Sequence, residues 1–211
     1  MRVYRQLPWL FLYAVAMAYV EAAVVVYLRA IYYPQGFAFP LAPMPPGMAG
    51  IEIGREAATL LMLLGVAMLA GAGRRERVLA FFVSFGVWDL FYYVWLWVFL
   101  RWPPSLLTWD ILFLIPVPWI GPVLSPVIVS LGLVWGGVAL LRREGTARAA
   151  EFSRRVILLM LAGAVLVLAS LTVDFEVVVR HLPAPSFRWG LFCAGTALAL
   201  AGFGLSVQGK R

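Results

Sequence analysis

The sequence predicts an all-α fold: a polytopic integral membrane bundle of six transmembrane helices, the fourth span broken by prolines. Three observations predict it. The chain is 64% apolar and 13% charged over its 211 residues, about half the charge of a soluble domain, and its mean hydropathy is +0.92. Apolar runs beyond ~18 residues recur, each enough to cross ~30 Å of hydrocarbon at ~1.5 Å per residue. Basic residues crowd into alternate loops, as membrane topology requires. A single domain over residues 1–211 is the natural division for this length.

Span one covers about 7–31. Arg2 and Arg5 ahead of an apolar run resemble a secretory leader, and Ala16-Met17-Ala18 imitates a cleavage site. The run continues to Leu28, longer than the ~7–15 residues of a leader's apolar region, so a retained span is expected. Ala14, Ala18 and Ala22 recur at i, i+4, a small-residue stripe that lets helices approach closely. The next loop, PQGFAFPLAPMPPGMAG, has five prolines and no charge. It is expected to fold back over the outer membrane surface as a lid or collar in extended, proline-restricted conformations.

Span two is read at 53–72, span three at 78–100, span four at 111–141, span five at 156–177 and span six at 189–207. Twelve of the 17 basic residues lie on one face: Arg2, Arg5, Arg74, Arg75, Arg77, Arg142, Arg143, Arg148, Arg154, Arg155, Lys210 and Arg211. That asymmetry places both termini in the cytoplasm of an inner-membrane protein, and six spans agree with two termini on one side. The same distribution explains the net charge of +7 without nucleic acid. Cys193 is the only cysteine, so no internal disulfide or CxxC motif exists, and it reads as a small core residue.

Seven of the ten acids lie in spans or at their outer ends. Counted from the cytoplasmic end of each span, Asp89 is ~17 Å up, Glu21 ~20 Å, Glu56 ~24 Å and Asp174 ~27 Å. Glu52, Asp110 and Glu176 fall near the outer interface. The pattern suggests a polar funnel open to the outside, formed by spans one to five. Ionisable groups in a span are expensive, ~2.5–3.5 kcal/mol each, and normally face the bundle interior. Glu21 lies beside the alanine stripe and should face protein. Arg55 can reach Glu52 at i+3, and Glu176 precedes Arg180 by four, the favourable order for a helix pair. Tyr92 and Tyr93 follow Asp89 at i+3 and i+4, so a phenol can donate to it. Asp174 shares its face with Ser170. Glu21 and Asp89 have no basic residue within four positions, so each is protonated or pairs across helices, with a residue such as Arg55.

Residues 109–141 would make a helix of ~50 Å, too long for one crossing. Pro116, Pro118, Pro122 and Pro126 divide it. The expectation is a short outer helix over 109–116, capped by Thr108 and with Asp110 in its first turn. An unwound segment, 117–121, and a true span, 122–141, would follow. Irregular backbone at membrane depth is tolerated only against protein or a wet cavity, and broken helices mark binding sites in many transporters.

No HExxH, GxSxG, Walker A or GxGxxG motif is present. The single histidine, His181, cannot supply bis-histidine haem ligation, and no span holds a lysine for a retinal Schiff base. No cofactor and no metal are expected. The leading reading is a binding or transport protein for a proton, cation or small cationic solute. The site candidates are Glu21, Arg55, Glu56, Asp89, Tyr93, Asp110, Asp174, Glu176 and Arg180. A membrane enzyme on a lipid-like substrate at the outer leaflet is a rival, with Glu56, Asp89 or Asp110 as acid–base. A third reading is an accessory subunit of a larger membrane complex, or an oligomer, docking through the aromatic third span.

Overall fold

The computed structural model describes residues 2–144 and 150–208. Arg148, Lys210 and Arg211 of the charge pattern therefore lie outside the described residues. The elements in order are α1 (Arg2–Tyr32), α2 (Pro46–Ala70), α3 (Arg74–Leu100), β1 (Trp109–Phe113), β2 (Trp119–Pro122), α4 (Leu124–Arg143), α5 (Arg154–Thr172), α6 (Glu176–Val179) and α7 (Trp189–Gln208). Among the described residues, six helices are long and apolar enough to cross a membrane. The chain is a multi-pass integral membrane protein that sits in a lipid bilayer. Its outward surface suits that solvent: Leu69 is 81% exposed and Trp9 66%.

Local chemistry sets the helix ends. Pro46 opens α2, where a missing N–H leaves nothing unpaired. Ser153 caps α5 by accepting from Val156 N–H at 3.3 Å. α3 stops at Arg101, which takes a left-handed conformation (φ 52°) before Trp102-Pro103. The chain alternates between two ends. One carries Arg74, Arg75, Arg77, Arg142, Arg143, Arg154 and Arg155, and is tied by Arg75 to Glu144 (3.0 Å) and by Arg143 to the Val207 carbonyl (2.6 Å). The other carries the β1–β2 hairpin.

The helices pack in two sets. α3 is the central element, flanked by α1, α2 and α4. The alanine stripe is its contact: Ala14, Ala18 and Ala22 are fully buried, and Trp95 Nε1 donates across the seam to the Val15 carbonyl at 3.2 Å. On the other side, Gly86 lets α3 close on α4, since a Cβ there would lie 2.8 Å from the Ser130 carbonyl. α5 and α7 form a second, tightly crossed pair. A Cβ on Gly163 would sit 2.6 Å from the Gly195 carbonyl, so the two backbones touch. This pair joins the rest through β2 and α4, where Phe203 packs on Trp135 at 5.1 Å.

The proline-rich segment departs from expectation. Residues 109–116 do not form a helix, and 117–121 is not simply unwound. Trp109 pairs with Pro122, Asp110 with Gly121, Ile111 with Ile120 and Phe113 with Trp119, in an antiparallel hairpin with a bulge between Ile111 and Phe113. Val123 N–H extends it to the Thr108 carbonyl at 3.0 Å. Thr108 caps no helix; its hydroxyl accepts from Ser105 N–H at 3.3 Å. The physical reason is that Pro116 and Pro118 bar a helical turn, and the aromatic and β-branched residues on either side suit a strand better. The prolines separate this segment from α4 as expected. The 33–45 loop packs on the protein: Phe37 lies against Trp102 and Phe39 against Trp109, with centroids 5.8 and 6.2 Å apart.

Replacing Gly163 by leucine should overpack the α5–α7 crossing and destabilise the protein by about 1–3 kcal/mol. Gly204→Leu, where an added Cβ meets nothing within 4 Å, should leave the melting temperature in detergent unchanged. Equal effects at the two positions would show that the crossing does not depend on the glycine.

Candidate functional site

Helix rise puts three acids at one level. Glu21 is 11 residues from the hairpin end of α1, Glu56 is 10 from that of α2, and Asp89 is 11 from that of α3, which sets each ~15–16 Å below that end. They line one cavity of about 390 Å³, with Glu52 and Asp110. Among the described residues, Arg29 and Arg55 are its only lining arginines, and Tyr32, Tyr33, Phe37, Trp88, Tyr92 and Phe113 supply rings. Beneath this layer Leu10, Leu63, Leu79 and Val83 fill the interior.

The cavity is built by α1, α2, α3 and the hairpin, and roofed by two connectors. Leu41, Pro43 and Met44 come from the 33–45 loop, and Val178, Val179 and His181 from the α5–α7 connection. His181 Nδ1–H donates to the Leu41 carbonyl at 2.9 Å, joining the two roof pieces. A carbonyl can only accept, so this bond fixes the ring proton on Nδ1. Of the predicted fourth span, 111–141, the part that reaches the cavity is Ile111, Leu112, Phe113 and Leu114 of the hairpin segment, and the fifth candidate span reaches it with Val178 and Val179 at its end; among the described residues, the helices α4 and α5 themselves do not line it. They act at one remove. Ser130 of α4 donates to Asp89 at 2.8 Å.

Arg29 and Asp110 form the anchor of the hairpin. Arg29 Nη2 lies 3.2 Å from Asp110 Oδ1, both side chains buried. The guanidinium lies 3.6 Å from the Trp102 ring centroid and 4.5 Å from that of Phe37, a cation–π arrangement. Tyr93 donates its hydroxyl to the other Asp110 oxygen at 3.3 Å. This corrects two expectations. Asp110 is a strand residue with an arginine partner, not the first turn of a helix. Tyr93 serves Asp110, whereas the partner of Asp89 is Ser130. Burial pushes the Asp110 carboxyl up to about 7, against the pull of Arg29, Ile111 N–H and the Tyr93 hydroxyl. Desolvation and attraction oppose each other here as in any buried ion pair. Sequence reasoning missed Arg29 as a site residue. Its signal was available: a basic residue inside a helix, three short of its end at Tyr32.

The remaining acids divide into two kinds. Arg55 spans Glu21 on α1 and Glu52 on its own helix: Nη1 pairs with Glu21, and Nη2 lies 2.7 Å from Glu52. Thr59 donates to Glu21 as well, at 2.9 Å. The cross-helix pair available to Glu21 is therefore formed, and with Arg55. Glu56 accepts instead from a backbone donor, Leu114 N–H, at 2.8 Å. Glu56 and Asp89 are hydrogen-bonded, but among the described residues neither has a basic group within ion-pairing distance.

Three candidates lie outside this cavity. Asp174 pairs with Arg188 at 3.0 Å, and Glu176 with Arg180 at 3.1 Å, on the protein surface. The Glu176–Arg180 pair has the i,i+4 geometry its spacing predicts, and Asp174 takes Arg188 rather than Ser170, whose hydroxyl donates to the Val167 carbonyl.

Asp110→Ala should strand a buried guanidinium and destabilise the protein by about 3–5 kcal/mol, while a double Arg29→Met, Asp110→Leu replacement should lose far less. Thermal unfolding in detergent separates the two; equal losses would mean that the pair's charges are not what the fold depends on. No family model, no curated protein and no solved structure matches this chain, and the functional reading therefore rests on its own residues.

Proposed function

We propose that the protein binds, and carries across the membrane, a proton, a cation or a small cationic solute, taken up in the cavity between α1, α2, α3 and the hairpin. The single observation that carries this reading is the charge imbalance of the cavity wall. Among the described residues, five carboxylates and two guanidiniums line it, and both guanidiniums are already held by carboxylates. Glu56 and Asp89 are left to meet a positive charge from elsewhere. A carboxylate in a low-dielectric site attracts a cation or a proton far more strongly than it would in water.

The direction follows from the arginines. Basic loops stay in the cytoplasm, so the arginine-rich end is cytoplasmic and the hairpin end, with the cavity, faces outside. The membrane is then the cell's inner membrane. The apolar side chains below Glu21, Glu56 and Asp89 bar the route to the cytoplasm, so transport requires that α1, α2 and α3 part there. Binding comes first, and the roof joined by His181 and Leu41 is the outer gate.

The test is flux into proteoliposomes, with Na⁺, K⁺, Ca²⁺ and methylammonium offered in turn and an internal dye reporting protons. Glu56→Gln and Asp89→Asn should each lower the supported flux about tenfold or more, the loss of ~1.4 kcal/mol of binding or barrier energy per decade. Glu176→Gln, on the surface, should leave it unchanged. Flux that is unaltered in folded Glu56→Gln and Asp89→Asn proteins overturns the reading.

A further inference from the structure

The cavity is too large, and its acids too widely held, for a bare ion. A calcium ion takes 6–8 oxygens at ~2.3–2.6 Å from one point. Among the described residues no three His, Cys, Asp or Glu side chains are grouped to hold a metal ion, although five carboxylates line the same space. They are tied to four different neighbours: Glu56 to Leu114, Asp89 to Ser130, Asp110 to Arg29, and Glu21 and Glu52 together to Arg55. They stand around about 390 Å³, a volume in the range of pockets for organic ligands, ~300–1,000 Å³. Between them the wall is apolar and aromatic, which suits a cation whose charge is carried on carbon-bonded nitrogen.

A second observation comes from a donor. Trp88 lines the cavity, is 4% exposed, and its indole Nε1 is buried with no hydrogen-bond partner among the described residues. An unmade hydrogen bond at a buried N–H costs about 1–3 kcal/mol, so the position calls for an acceptor. Trp88 adjoins Asp89 in sequence, and both reach the same cavity.

Resting on the reading of the cavity as a cation site, we propose that its ligand is an amphipathic organic ammonium compound. Its nitrogen lies at Glu56 and Asp89, its apolar body fills the space beside Phe113 and Val178, and an oxygen close to the nitrogen accepts from Trp88 Nε1. A soluble amine and an amine-bearing lipid headgroup share this chemistry.

The test uses the full chain in nanodiscs of phosphatidylglycerol, which carries no amine, and calorimetric titration with 2-amino-1-phenylethanol, phenethylammonium, methylammonium, Na⁺ and Ca²⁺. The two ring-bearing amines should bind at least about tenfold more tightly than methylammonium, the hydroxylated one the more tightly of the two. Glu56→Gln and Asp89→Asn should each weaken them by a similar factor, and Trp88→Phe should abolish the preference for the hydroxyl while the protein melts as before. In discs that also contain phosphatidylethanolamine, native mass spectrometry distinguishes the source. One retained phosphatidylethanolamine, lost in Glu56→Gln and competing with the soluble amine, marks a lipid ligand; none retained marks a soluble one, and either agrees with the proposal. Methylammonium, Na⁺ or Ca²⁺ binding as tightly as the ring amines overturns it and leaves the cation site standing. A folded protein that binds no cation at all overturns both.

Discussion

A buried guanidinium at the end of α1 holds the hairpin end of this protein together. Arg29 touches Asp110 on β1 and lies over Trp102 and Phe37, and through Asp110 it reaches Tyr93 on α3. Two helices, two connecting segments and the hairpin meet around one charge. The energy of such a pair is a small difference between desolvation and attraction. Its effect on geometry is larger, because a planar cation stacked on a ring and paired with a carboxylate has few alternative positions. Once Asp110 is fixed, so is the register of β1. The bulge at Ile111–Phe113 then brings Leu114 N–H to Glu56.

Backbone satisfaction explains why a hairpin can sit there at all. At membrane depth each unpaired N–H costs several kcal/mol, so non-helical backbone survives only where protein meets its donors and acceptors. β1 and β2 satisfy each other, and Glu56 takes the donor that the turn leaves over. Pro116, Pro118 and Pro122 have no N–H, so three of the residues most in need of a partner require none. Prolines that would break a helix thus suit this strand pair, and Glu56 has a structural duty as well as an electrostatic one.

Arginine placement sorts the remaining acids. With Arg55 set between Glu21 and Glu52, both are ion-paired to one guanidinium and link α1 to α2. Glu56 and Asp89 receive hydrogen bonds but, among the described residues, no ion pair. The supports of Asp89 come from behind the cavity: Ser130 on α4 reaches it because Gly86 lets the two helices close. The α3 wall of the cavity is thus backed by α4, and its roof is closed by a histidine–carbonyl bond between two connecting segments.

The sequence by itself determined the class, the number of spans and the residues that had to be explained. Composition and run length decide those, because a bilayer accepts only long apolar helices and makes every buried charge conspicuous. The alanine stripe, the Glu52–Arg55 and Glu176–Arg180 pairs and the break before the fourth helix are local patterns and could be read as such. What only the tertiary structure decided is non-local. Residues 109–116 become a strand because 119–122 pairs with them. Tyr93 turns to Asp110 rather than Asp89 because β1 passes in front of it, and Asp174 leaves the group because Arg188 reaches it first. Spacing along one helix reports which side chains share a face; it is silent about which face another segment approaches, and in a low-dielectric interior each charge takes the partner that the packing delivers.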